Sequence, residues 1–164
     1  MSILKLDSSP LIYAVKGNYL DVFRLLYSKL VIVDSVYEEV VVAGKKRNRP
    51  DAFIVEKLLN DGHLEHHSNE PDPPSFPLGL GELSSIHAAQ LEKCAVLVDD
   101  IPARRTAIQI GVETKWTLLL FLEMLKQQLV NEERFDTLLE SYVKIASPSI
   151  VEYQIIVEMK KLVM

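Results

Sequence analysis

The sequence predicts an α/β fold with a parallel sheet between helical layers, and three observations lead there. Short apolar runs alternate with longer amphipathic ones, the pattern of strand, crossover helix and next strand. Two of those runs, Ile3 to Leu6 and Ala95 to Val98, end abruptly in acids: Asp7, and the pair Asp99 and Asp100. With 164 residues, 48% of them hydrophobic and 25% charged, the chain has the size and composition of one ordinary globular domain.

Ile3 to Leu6 reads as the first strand, and Pro10 opens a helix soon after Asp7, because a first helical turn does not need the N–H that proline lacks. Gly17 and Asn18 break that helix. Tyr19 to Ser28 is predicted as a second helix with Leu20, Phe23 and Tyr27 on one face. Val31 to Val33 is a short β-branched strand, and Asp34 or Ser35 can cap the helix through Val36 and Val40 that carries Glu39. Asp51, after Pro50, can cap the next helix, whose stripe is Ala52, Val55, Leu58 and Leu59 and which Asn60, Asp61 and Gly62 stop. Pro71, Pro73, Pro74 and Pro77 make the stretch from Ser68 to Pro77 a loop. Gly79 to Lys93 follows as a helix with Glu82 in its first turn and Ile86 and Ala89 facing inward. Ala95 to Val98 is an inner strand, Pro102 to Ile110 a helix ended by Gly111, and Val112 to Thr114 a last short strand. Thr117 to Leu129, Glu132 to Ile145 and Ser149 to Met164 are helical. A single domain over residues 1–164 is expected, with 131–164 as a C-terminal helical extension. The apolar content of the last helices predicts a face covered by another subunit or partner.

A net charge of −5 argues against a broad basic surface that coats nucleic acid. It leaves open an acidic site that binds phosphate through divalent cations, each of which offsets two negative charges. Lys45, Lys46, Arg47 and Arg49 form a local basic run, either a solvated loop or a landing site for a phosphate backbone. Arg104 and Arg105 are candidates to pair with the acids or hold phosphate, an exposed helical face being the other explanation. No apolar stretch is long enough to span a bilayer, and no secretory leader is evident, so a cytoplasmic location with no membrane contact is expected. The lone Cys94 cannot form an internal disulfide and reads as a small core residue. His63, His66 and His67 have no accompanying cysteine, which argues against zinc. Gly79-Leu80-Gly81 lacks the lysine and spacing of a nucleotide-binding loop, and no serine sits in a nucleophile elbow.

The acids carry the functional expectation. Ligands of open parallel sheets bind beyond the carboxyl ends of the strands, where the strand order reverses, and Asp7, Asp99 and Asp100 occupy that edge. Glu39 and Glu82 can reach it from early helical turns. Crowded carboxylates repel one another unless a cation or proton compensates. Oxygen ligands suit Mg2+ or Mn2+. Each acid also has a plainer reading: Asp7 as a helix cap, Glu39 on a charged outer face, Glu82 at a helix start that favours negative charge.

Four ordered motifs resemble a known family. They are Leu6-Asp7-Ser8-Ser9-Pro10-Leu11-Ile12; Val36-Tyr37-Glu38-Glu39-Val40; Gly81-Glu82, opening a helix that ends in Ala88-Ala89; and Leu97-Val98-Asp99-Asp100, followed by Ala103-Arg104. In order and spacing over most of residues 3 to 130 they resemble PIN-domain proteins, close to the VapC-type toxin ribonucleases and their relatives. The resemblance implies a three-layer α/β/α fold with a central parallel sheet and an acidic pocket holding Mg2+ or Mn2+ for RNA hydrolysis. Carried over by position, Asp7, Glu39, Glu82 and Asp99 or Asp100 are the site acids. Asp7, Glu82, Asp99 and Asp100 are the candidate metal ligands, and Ser9 orients Asp7 or a water. A toxin-antitoxin role, an antitoxin partner and a homodimer are further implications. Three positions depart from the pattern: Ser84 stands where relatives often carry a second acid, and Lys115 and Trp116 where they tend to have small residues. Those departures motivate the rival expectation, a catalytically inactive module that binds a protein partner or RNA.

Overall fold

The computed structural model describes residues 2–68 and 80–164, the side chains of 80–82 excepted. Strands β1 (Ile3–Leu6), β2 (Lys29–Val33), β3 (Glu65–His67), β4 (Ala95–Leu97) and β5 (Thr114–Lys115) form one sheet in the order β3-β2-β1-β4-β5. Every pairing is parallel. The chain runs outward from β1 through β2 to β3, then returns to the other side of β1 for β4 and β5. The strand order therefore reverses between β1 and β4, and a crevice opens there at the carboxyl edge.

Helices cover both faces. Helices α1 (Ser8–Lys16), α4 (Pro50–Asn60), α7 (Thr117–Lys126) and α8 (Glu132–Ala146) lie on one side, with α9 (Ile150–Val163) packed on α7. Helices α5 (Leu80–Glu92) and α6 (Ile101–Gln109) lie on the other. Strand alternation divides the core accordingly. Leu4, Leu6, Leu30, Ile32 and Leu97 join a large cluster that includes Phe121 and Phe135, while Val96 and Val98 meet Ile86, Ala89, Ala103 and Ala107 in a smaller one.

Lys5 breaks the apolar run of β1. Its side chain is fully buried, and Nζ donates to Glu92 Oε1 at 2.8 Å and lies 3.4 Å from His67 Nδ1. A buried ammonium needs such a partner, since desolvation is costly without one. The histidines are also drawn into β3 and its contacts, a strand the sequence did not suggest because its three residues are polar and at the sheet edge. His66 stacks on Tyr37 with 4.5 Å between ring centroids, and its Nε2 is 2.6 Å from Asp34 Oδ1.

Other boundaries shift for local reasons. Tyr19 to Ser28 is a 3-10 helix only over Leu20–Leu25, although Leu20, Phe23 and Tyr27 are all buried as expected. Asp34 and Ser35 do not cap; Val33 holds the cap position and Asp34 already lies in the first turn of α2 (Asp34–Tyr37). Asp51 likewise lies inside the first turn of α4, behind Arg49 at the cap position, and is buried against the Arg49 guanidinium at 3.3 Å. The last strand is Thr114–Lys115, beginning two residues later and ending one later than Val112 to Thr114, because Val112 turns into the small core. The proline-rich stretch from Ser68 to Pro77 lies, beyond Ser68, outside the described residues.

Between α2 and α3 (Ala43–Lys46) the helix widens into a π segment at Glu38–Val42. Such segments add a residue to a turn and re-aim side chains. Just beyond it, a Cβ placed on Gly44 would lie 2.7 Å from Ala52 Cβ, so glycine permits α3 to touch α4. Gly44→Val is expected to cost about 1–3 kcal/mol, read as a lower urea midpoint with an unchanged m-value.

Candidate active site

The site follows from the β1–β4 register. Leu6 pairs with Leu97, and the ladder continues one step further, with Asp7 N donating to Leu97 O at 3.1 Å. Asp7 is thereby carried to the carboxyl edge with its side chain buried. Asp99 lies two residues beyond Leu97 on the neighbouring strand, across the switch point. Ser8, the first residue of α1, donates its hydroxyl to Glu39 Oε2 at 2.8 Å and draws that exposed carboxylate toward the same end. Ser9 lines a cavity, and Ser8 links α1 to Glu39.

The two adjacent aspartates have separate environments. Asp100 is exposed and caps α6, its Oδ2 accepting from Ala103 N at 2.9 Å. Asp99 turns inward and accepts from Thr117 N at 2.7 Å and Thr117 Oγ1 at 2.8 Å. Burial holds the Asp99 carboxyl above the usual carboxylate range, even though Thr117, the Arg104 charge and a hydrogen bond from Tyr142 favour its charged form. Tyr142 and Tyr19 are in turn pushed up, first by burial and then by the Asp99 charge.

A cavity of about 380 Å³ lies over this edge. Ser9 and Tyr13 of α1, Asp99 to Pro102, and Tyr142 with the α8–α9 turn and Glu152 line it. Tyr13 and Tyr142 meet edge to face with centroids 6.2 Å apart. Thr117, Tyr142 and Glu152 carried no sequence signal for the site. The only visible clue was the Ser149-x-x-Glu152 capping pattern, which announces a helix start and nothing about a pocket.

The remaining candidates are placed as follows. The side chain of Glu82 lies outside the described residues; its helix, α5, packs on β1, β2 and α2. Lys45 pairs with Glu56 at 2.7 Å and Arg49 with Asp51, whereas Lys46 and Arg47 are exposed at the end of α3. There the helix dipole favours cations, a structural reason for the basic run. Arg104 is tied to Glu152 and Trp116, and Lys115 pairs with Glu123 at 2.6 Å. Among the described residues no three His, Cys, Asp or Glu side chains form a metal-holding group. The chemistry of the carboxyl edge still fits a hard divalent cation: the donors are oxygens, and they include buried Asp7 and desolvated Asp99.

A switch-point crevice flanked by strand-end aspartates is the ligand edge of a parallel α/β protein. A family model described as a PIN domain matches residues 3–147, and the chain belongs to the PIN-domain family. Among solved structures it resembles a PilT N-terminus domain protein from the hyperthermophilic archaeon Sulfolobus solfataricus, with TM-score 0.51 and 16% identity over 75% of this chain and 93% of that one. A domain of a functionally unknown protein from Methanocaldococcus jannaschii also matches, with TM-score 0.51 and 13% identity over 71% and 91% of the two chains. At those identities the likeness is one of fold. A search of curated proteins found no significant match. Among the described residues no helix is long and apolar enough to cross a membrane.

The raised Asp99 pKa has a measurable consequence. At low pH the carboxyl is protonated in both folded and unfolded chains and costs nothing. As pH rises through the unfolded value near 3.8, the unfolded chain ionises freely while the folded one resists, so stability falls as pH climbs through the folded pKa. Asp99→Asn removes that penalty. Its melting temperature at neutral pH in EDTA is expected to exceed the parent's by about 2–4 °C for each kcal/mol relieved, the gap closing as pH approaches about 4.

Proposed function

We propose that the chain is a metal-dependent endoribonuclease acting at the β1–β4 edge, the toxin of a toxin-antitoxin pair or a stand-alone relative. The observation that carries this reading is that buried Asp7 and inward-facing Asp99 follow neighbouring strands at the switch point of a PIN domain. Asp7 and Asp99 would hold Mg2+ or Mn2+, with Glu82 and Asp100 as further candidate ligands. When bound, the cation supplies charge neutralisation at the phosphate and activation of water for hydrolysis.

The protein's own groups prepare that edge. Thr117 fixes both oxygens of Asp99, so the carboxylate presents a constant face to the crevice. Ser8 holds Glu39 against the start of α1. Tyr13 and Tyr142 give the cavity wall an aromatic surface on which an unpaired base can rest, a common feature of single-strand sites. Residue Asp7 is the decisive one to change. Asp7→Asn is expected to lose manganese-dependent cleavage of labelled RNA while keeping the parent's far-UV circular dichroism; equal cleavage by both chains rejects the nuclease reading. The inactive-module alternative requires that the parent itself neither cleave nor bind manganese in calorimetry.

Pairing of two copies is part of the same proposal. Support comes from α9, whose Val151, Ile155, Met159 and Leu162 are exposed along one stripe while Ile156 faces inward. The parent is expected to sediment as a dimer and Ile155→Glu as a monomer.

A further inference from the structure

Arg104 stands behind the cavity lining, and a carboxylate of that lining, Glu152, occupies it. Its guanidinium lies 4.8 Å from the centroid of the Trp116 ring, and Nη2 donates to Glu152 Oε1 at 2.5 Å. The two side chains are only 11% and 25% exposed, so this pair is far less screened than an open surface bridge. The other Glu152 oxygen is held by the start of α9, accepting from Ser149 Oγ at 3.2 Å and Ser149 N at 3.4 Å. Glu152 is therefore anchored at the cavity wall, beside Asp99 and Asp100.

Electrostatics gives this arrangement a meaning. An anionic ligand entering a cleft with two aspartates needs a fixed positive group, and an arginine flattened on an indole is pre-oriented to grip paired oxygens. A carboxylate imitates the paired oxygens of a phosphodiester. The residue that supplies it belongs to α9, which lies beyond the segment 3–147 matched by the family.

We propose that Arg104 is the phosphate-contacting residue of this cleft and that Glu152 is a resident competitor, which a backbone phosphate must displace before it can bind. The inference rests on the proposed phosphodiester site and adds its regulation. The apparent affinity is lowered by the fraction of molecules in which Glu152 holds Arg104.

The test is binding of a short fluorescein-labelled oligouridylate to the full chain in EDTA, followed by anisotropy over a series of salt concentrations. Glu152→Gln keeps a capping-box residue at the start of α9 while removing the competing charge. It is expected to tighten binding and to steepen the slope of log K against log salt by about 0.7, one further phosphate contact on a single strand. Arg104→Gln is expected to weaken binding in the parent, and to weaken it more in the Glu152→Gln background, where it cancels the gain, a non-additive cycle. An unchanged slope in Glu152→Gln, absence of binding by that variant, or equal losses from Arg104→Gln in both backgrounds would overturn the proposal. Should Arg104→Gln not fold, the slope in Glu152→Gln decides alone. The slope change without manganese-dependent cleavage rejects the nuclease function and leaves the competition standing; cleavage with an unchanged slope does the reverse.

Discussion

The parallel register of β1 on β4 is the constraint from which the acidic edge follows. Leu6 faces Leu97, and the bond from Asp7 N to Leu97 O prolongs the ladder past the last strand residue. Asp7 is also the cap residue of α1, its carbonyl accepting from Leu11 N at 3.2 Å, so strand and helix join there without a loop. The two contacts carry Asp7 to the switch point, and Asp99 lies two residues past the end of the neighbouring strand. Leu4, Leu6 and Leu97 are all fully buried in the large core, so sliding the register by one residue would exchange apolar for polar side chains across the sheet.

Placing acids at such an edge is unfavourable, and the fold limits the cost without removing it. Thr117 donates twice to Asp99, and Arg104 adds a positive charge nearby, yet burial still dominates and keeps the carboxyl above its ordinary range. Elsewhere the same chain sets an opposite charge beside a buried one: Lys5 reaches Glu92, and Asp51 meets Arg49. The contrast locates unsatisfied electrostatic demand at the carboxyl edge. Residual cost of this kind is what a cation or a proton-linked reaction can use.

Much of this was legible in the sequence because apolar runs and breakers act locally. Ile3–Leu6 matched residue for residue, Gly111 ended α6 at a φ of 79°, and Asn18 left the first helix with a φ of 53°. What stayed hidden depends on partners distant in the chain. β3 exists because it can add to an edge, not because Glu65–His67 favours extended structure. Tyr19 to Ser28 carried a helical pattern, but the 3-10 geometry is compatible with the same three buried side chains at tighter pitch. At the site, Asp7 and Asp99 announced themselves by ending apolar strands. Thr117 and Ser8 did not, since a hydroxyl at a helix start looks the same whether it serves a cap or a carboxylate. The contact of Ser8 with Glu39 joins residues 31 positions apart, which no local pattern announces.

Two of the three positions that depart from the family pattern, Lys115 and Trp116, acquire a consistent explanation once their charged partners and α9 are considered with them. Lys115 is turned away from the cavity by Glu123 and Glu113. Trp116 supplies the plane on which Arg104 lies, and Arg104 is the residue that α9 engages through Glu152. A small residue at 116 would leave that guanidinium without its aromatic support, and Glu152 would then face a mobile charge. Lys160 secures the far end of the same helix to Glu132 and Asp136 of α8. The bulky residue beneath Arg104 and the helix beyond the shared family body therefore act as one unit, which explains why a departure that looks damaging in isolation is accommodated here by packing and charge.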